Sequence, residues 1–256
     1  MNRQRQSMRA FACLTSLAAG VLFFVSTAQA AIVLQATRVI FNGADKEATM
    51  LVRNDGDDEA LIQSWMAPTT GEEDTPFALV PPLARIPERS TQLLRILYEG
   101  SGLPTDRESV AWLHVQDVPH NPQSENVLQL AIRHAVKVFY RPRGLPGQAA
   151  DAAPNLRWRL VQDAQGDAVE VSNPSLYHVS MVGIRLGDPA ADGTVVDAHM
   201  IAPLTSHRFT LKSVPAGRAL EVNFVSINDY GGDDAFQLTL TGAAAATGRP
   251  IVSKGP

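Results

Sequence analysis

The sequence predicts an all-β protein made of two immunoglobulin-like sandwiches, and three observations carry that prediction. Short runs rich in Val, Ile, Leu and aromatic residues alternate apolar and polar positions with a period of two. Turn-forming clusters separate them, and almost no stretch carries a helical period. A Pro/Gly/Ala-rich break then divides the chain into two halves of sandwich size. At 256 residues, 45% hydrophobic and 19% charged, the chain is too apolar for disorder and too polar for a membrane bundle.

The first segment is an address rather than part of the fold. Arg3, Arg5 and Arg9 precede an apolar run from Ala10 to Ser26, and Ala28-Gln29-Ala30 supplies the small residues that a signal peptidase requires. Residues 1–30 are therefore a signal peptide. Removing its three arginines takes the formal charge from −4 to −7, with 19 basic against 26 acidic residues. The single cysteine, Cys13, leaves with it, so the exported chain has no disulfide and must be stabilised by its cores. No later run approaches the roughly 20 apolar residues needed to span a bilayer, so no membrane insertion is expected.

The N-terminal domain is expected over 31–144. Strands are predicted at Ile32–Phe41, Ala48–Asn54, Ala60–Met66, Phe77–Val80, Ser90–Tyr98, Val110–Val118 and Val127–Tyr140. Asn42-Gly43, Asn54-Asp55-Gly56 and Pro81-Pro82 lie between them as turns. Residues 142–154 hold three prolines, two glycines and four alanines without periodic apolar positions, and a linker is assigned to 145–154. The C-terminal domain, 155–242, is read with strands at Arg157–Gln162, Ala168–Ser172, Val179–Leu186, Thr194–Ile201, His207–Leu211, Ala219–Ile227 and Ala235–Leu240. The Ala-rich end, 243–256, reads as a disordered tail.

One strand stands apart. Val127–Tyr140 runs fourteen residues without a turn former, against a usual strand length of about five or six. Leu128, Leu130, Ile132, His134, Val136 and Val138 share one face. Two readings follow from the pattern: a long core strand filling the sandwich, or an edge strand offering aliphatic knobs and free backbone groups to a partner. Periodicity does not choose between them.

Five segments in order resemble the PapD-type periplasmic pilus chaperones: Thr37-Arg38-Val39-Ile40-Phe41, Pro104-x-Asp106-Arg107-Glu108-Ser109, Asn126-Val127-Leu128-Gln129-Leu130-Ala131-Ile132, Val136-Lys137-Val138-Phe139-Tyr140-Arg141-Pro142, and Ile227-Asn228-Asp229-Tyr230-Gly231-Gly232. The resemblance covers the exported chain except its tail. It implies two immunoglobulin-like domains in a boomerang and a periplasmic chaperone that binds, folds and caps pilus or fimbrial subunits by donor-strand complementation. It further implies delivery of those subunits to an outer-membrane usher. The short segment Pro119–Glu125 before the long strand resembles the short-loop branch of the family.

Carried over by position, the resemblance implies a donor motif of Leu128, Leu130 and Ile132. It implies a pair of cleft cations, Arg38 and Lys137, that bind the subunit's C-terminal carboxylate. It also implies an interdomain charge network of Glu108, Arg141 and Asp229. An exposed aliphatic edge would favour a self-capping homodimer of the free protein.

Other chemistries find little support. The sequence contains no G-x-S-x-G, G-x-x-x-x-G-K or H-E-x-x-H. The six histidines form no ligand spacing backed by acids, so no metal or other cofactor is expected. Asp229, Asp233 and Asp234 beside Gly231-Gly232 lack the alternating ligands of a calcium loop. An acidic exported chain argues against nucleic acid. The alternative to a non-enzymatic chaperone is a secreted two-domain structural or adhesive fibre protein. Such a subunit would be expected to carry a free N-terminal extension, yet strand-like sequence begins at Ile32. A sugar-binding module would be expected to present exposed aromatics, yet Trp65, Trp112 and Trp158 all lie within strand patterns.

Overall fold

The computed structural model of the chain describes residues 32–69, 75–119, 130–164, 166–187, 194–211, 219–241 and 244–251. Strands dominate, and they form two sandwiches with separate cores.

The N-terminal sandwich contains β1 (Ile32–Leu34), β2 (Arg38–Asn42), β3 (Glu47–Asn54), β4 (Ala60–Pro68), β5 (Phe77–Val80), β6 (Leu83–Ile86), β7 (Thr91–Tyr98), β8 (Ser109–Val118) and β9 (Arg133–Arg141). One sheet is ordered β1-β3-β7-β5 and the other β2-β9-β8-β4-β6. Alternation puts Ala48, Met50 and Val52 of β3 inward against Leu94 and Ile96 of β7, Leu113 and Val115 of β8, and Val136 and Val138 of β9. Phe41, Phe77, Tyr98 and Tyr140 close one end of this core as an aromatic cluster with ring centroids 4.4–6.0 Å apart.

Three differences from the sequence reading arise here. The expected strand Ile32–Phe41 is two strands, because β1 pairs with β3 in one sheet while β2 pairs with β9 in the other. The chain changes sheets between them, which no local pattern records. β6 was not anticipated after Pro81-Pro82. It lies against β4, and the Ser64 amide donates to the Pro82 carbonyl at 2.8 Å. The long strand expected over Val127–Tyr140 begins only at Arg133, since its ladder with β8 stops at Gln116↔Arg133. Leu130, Ala131 and Ile132 precede it outside any strand, and 127–129 lie outside the described residues.

The C-terminal sandwich contains β10 (Arg157–Asp163), β11 (Gly166–Ser172), β12 (Val179–Leu186), β13 (Thr194–Ile201), β14 (Ser206–Thr210), β15 (Leu220–Ile227), β16 (Asp233–Leu240), β17 (Ala246–Thr247) and β18 (Arg249–Pro250). Its sheets are ordered β14-β11-β10-β17 and β13-β12-β15-β16-β18. Trp158, fully buried, packs between Phe209 and Phe224, and Phe224 stacks on Phe236. Both sandwiches use a buried Asn to tie off a strand end. The Asn54 side-chain amide donates to the carbonyls of Asp58, Ile86 and Pro87, and that of Asn173 to those of Tyr177, Ile201 and Ala202. Each thereby satisfies carbonyls that would otherwise be stranded in a turn.

Two segments expected to lack structure carry it. Within 145–154, Ala149–Asp151 forms a 3-10 turn, and Ala152 and Ala153 bury into the C-terminal core. Small side chains let this backbone lie close to the sandwich, and the Tyr177 hydroxyl reaches the carbonyl of Gly147 at 3.0 Å. The tail expected to be disordered from 243 supplies β17 on β10 and β18 on β16. Gly248 makes the crossing between them, where a β-carbon would lie 3.4 Å from both Phe224 and Phe236.

Candidate functional site

The sheet register assembles the site. β2 and β9 run parallel, and the ladder sets Arg38 directly opposite Lys137, with Val39 opposite Val138 and Ile40 opposite Phe139. Residues opposite each other share a face, so both cations project on one side while Val39 and Val138 fill the core on the other. β2 begins at Arg38, so residues 133–136 of β9 pair with β8 alone and leave their other backbone edge unpaired by any described strand.

Both cations sit at the boundary with the C-terminal sandwich. Arg38 Nη1 donates to the Ile227 carbonyl at 2.8 Å, and its guanidinium lies 5.5 Å from the Phe139 ring centre. Lys137 Nζ lies 5.5 Å from the Trp112 ring centre. Burial pushes the pKa of Arg38 down, against the pull of Asp229 and Glu108, and burial followed by repulsion from Arg38 pushes that of Lys137 down. Half-buried cations held this close favour an anion between them. Among the described residues, no acidic side chain forms an ion pair with either one.

Glu108, Arg141 and Asp229 come together across the two sandwiches. Arg141 Nε donates to Glu108 Oε2 at 2.7 Å, while Nη1 and Nη2 donate to Asp229 Oδ2 and Oδ1, each at 2.7 Å. Burial opposes the charge on Arg141, but its hydrogen bonds to the Asp229 and Glu108 carboxylates outweigh it and raise its pKa. The network includes a residue the sequence reading missed. Glu108 Oε1 accepts the His178 backbone N–H at 2.7 Å and lies 2.9 Å from His178 Nδ1, and the Glu108 amide donates to Leu176. Nothing in the sequence around His178 marked it, because its contribution rests partly on a backbone amide.

The donor-motif residues divide. Leu130 is 67% exposed and Ile132 43%, while Val136 and Val138 further along the same alternation are buried. The Ile132 carbonyl accepts the Asp117 amide at 2.9 Å, which keeps the extended chain in line with β9. Leu128 lies outside the described residues. Among the described residues no group of three His, Cys, Asp or Glu side chains gathers at one point, and no helix is long and apolar enough to cross a membrane.

Residues 31–146 match the pili and flagellar-assembly chaperone, PapD N-terminal domain, and residues 151–238 the pili assembly chaperone PapD, C-terminal domain. The chaperone protein FimB/FhaD of Bordetella pertussis is 37% identical over 225 residues, spanning 83% of this chain and 89% of that protein. The probable fimbrial chaperone YadV of Escherichia coli is 35% identical over 225 residues, spanning 82% and 89%. A crystal structure of the YadV chaperone superposes with a TM-score of 0.69 at 33% identity, covering 82% of this chain and 100% of that one. A chain from the complex of the Salmonella enterica SafA pilin with the SafB chaperone gives 0.69 at 27% identity, covering 84% and 99%.

Proposed function

The chain belongs to the PapD family of pilus-assembly chaperones, and from that membership we propose how its own residues capture a pilus subunit. The signal peptide delivers it to the periplasm, where it works as a binding protein without catalysis. The observation that carries the mechanism is a divided stripe that runs from the segment before β9 into β9 itself. Val136 and Val138 are used up by the N-terminal core, whereas Ile132 and Leu130 continue the same face into solvent beside an open backbone edge. A subunit sandwich with an empty strand position would gain backbone hydrogen bonds from that edge and bury the aliphatic side chains.

Each aliphatic knob buried in such a groove contributes roughly 1.5–3 kcal/mol before the costs of association. Arg38 and Lys137 receive the subunit's terminal carboxylate, which fixes the register of the added strand. A close charge pair is worth about 4 kcal/mol at an effective dielectric near 20, before desolvation. Glu108, Arg141, Asp229 and His178 hold the two sandwiches at a fixed angle around that anchor. The captured subunit is then released to an outer-membrane usher, and a free chaperone can cover its open edge with that of a second copy.

The test is recovery of the tagged chain from the periplasm of its native host alongside the Arg38→Ala/Lys137→Ala double variant. A β-rich secreted subunit bound one-to-one by the wild type and lost from the variant is the expected result. Equal recovery of that subunit by both proteins would overturn the carboxylate anchor.

A further inference from the structure

Behind the two cations lies a cavity of about 300 Å³ whose far wall is the C-terminal sandwich, and its lining includes Arg38, Lys137, Ser180, Val182, Met200 and Ile227. Ser180 and Met200 are directly opposed in the β12–β13 ladder, so they share a face with the next alternate residue, Val182. That face of the sheet thus presents one hydroxyl among aliphatic and thioether side chains, and Met181, Ala198 and His199 complete the lining.

That hydroxyl is out of place in a finished interior. Ser180 is 6% exposed, and among the described residues its buried Oγ has no hydrogen-bond partner. Arg38 lines the same cavity, and its Nε is likewise buried and unpaired among the described residues. Leaving a buried donor unsatisfied is costly, and two residues carrying such donors on the lining of one cavity are open to a ligand acceptor.

We propose that Ser180 is a third hydrogen-bonding group for the subunit's terminal carboxylate, and that Val182, Met200 and Ile227 receive the last side chain, so that the cleft selects subunits ending in an apolar residue. This rests on the carboxylate-anchoring role of Arg38 and Lys137 proposed above. A carboxylate offers four lone-pair sites, enough to accept from Arg38, Lys137 and the Ser180 hydroxyl together. Its α-carbon substituent is then directed at the apolar wall, where a charged terminal residue would be desolvated without a partner.

The exported chain is titrated with fluorescent synthetic Val/Thr-alternating peptides ending in Leu or Asp, each as free acid or C-terminal amide. The wild type should bind the Leu free acid about tenfold more tightly than either the Leu amide or the Asp free acid. Ser180→Ala should weaken the Leu free acid about tenfold and leave the amide unchanged, Ser180→Thr should retain wild-type binding, and Met200→Lys should abolish the preference for Leu over Asp. Thermal unfolding run in parallel shows that each variant is folded. If Arg38→Ala weakens the free acid selectively while Ser180→Ala and Met200→Lys change nothing, the role of this wall is overturned and the anchor stands. If Arg38→Ala leaves free-acid binding intact, the anchor itself falls.

Discussion

Arg141, the last residue of β9, grips Asp229 in the β15–β16 turn through two parallel hydrogen bonds of 2.7 Å, one from each terminal nitrogen. This bidentate pair spans the two sandwiches, and its remaining nitrogen is held by Glu108, whose side chain is 1% exposed. A planar guanidinium fixed at three points transmits orientation as well as charge.

Removing the centre of this network should cost more than removing its rim. Arg141→Ala leaves the Glu108 carboxylate buried without its cation and is expected to destabilise the protein by about 3–5 kcal/mol. Asp229→Ala should keep both sandwiches folded but loosen their angle. Denaturant titration reads the first effect and small-angle scattering the second. An unchanged scattering profile for Asp229→Ala would remove the network from domain orientation.

The aliphatic stripe of β9 and its continuation in the segment before it should respond oppositely to the same chemistry. Leu130→Glu, at an exposed position, is expected to leave stability within about 0.5 kcal/mol while abolishing subunit capture. Val138→Glu, at a fully buried position, should unfold the N-terminal sandwich. Circular dichroism melting and co-purification separate the outcomes, and normal capture by Leu130→Glu would sink the donor role.

Gly231 has a positive φ of 81°, and a β-carbon there would lie 2.6 Å from Thr37 Oγ1 across the domain boundary. Gly231→Ala should therefore lose about 1–2 kcal/mol from the backbone alone and more from the clash. Thr37→Ala in the same chain should restore the clash component only. A double-mutant cycle on unfolding free energy measures the difference, and complete additivity would contradict the contact.

Cutting the chain after Gly242 removes β17 and β18 and opens one flank of the C-terminal core. The C-terminal sandwich should melt earlier, by about 4–8 °C for each kcal/mol lost in a domain of this size. Calorimetry of the truncated chain checks this, and an unchanged melting temperature would make the two strands incidental.

His199 of β13 lies against His207 of β14 with ring centres 3.7 Å apart and the rings tilted by 32°. Burial, and then the neighbouring His207, hold the His199 pKa below the ordinary 6.5. The neutral ring is therefore favoured in the folded state. Stability is full above the unfolded value and declines as the pH falls below 6.5 toward the folded pKa, because the unfolded chain binds the proton first. His199→Gln should flatten the fall in melting temperature between about pH 7 and 5. A slope equal to that of the wild type would assign the acid sensitivity elsewhere.

Much of the fold was legible because a strand's side-chain period is a local property. Apart from β6, the strand positions from Ala48 to Val118, the inward-facing Val136 and Val138, and the break between the halves all follow from alternation and turn chemistry. Arg38, Lys137 and the charged triad were singled out only through resemblance, since spacing alone leaves Arg38 and Lys137 as two unrelated surface charges, and the structure brings the triad into contact. The extent of β9 was misread because the pattern continues past the point where a partner strand exists. β17 and β18 were missed because two-residue strands carry no period, and His178 was missed because it serves the network partly through its backbone.

The sequence by itself determined which residues face inward and which segments turn, for these depend on neighbours one or two positions away. Tertiary structure alone decided that Arg38 stands opposite Lys137 in a parallel ladder. It also decided that Leu130 remains exposed while Val138 on the same face is buried, and that Ser180 closes the cavity behind the cations. Register and burial are set by contacts between distant segments, and no local period encodes which strand will lie alongside another or where it will end.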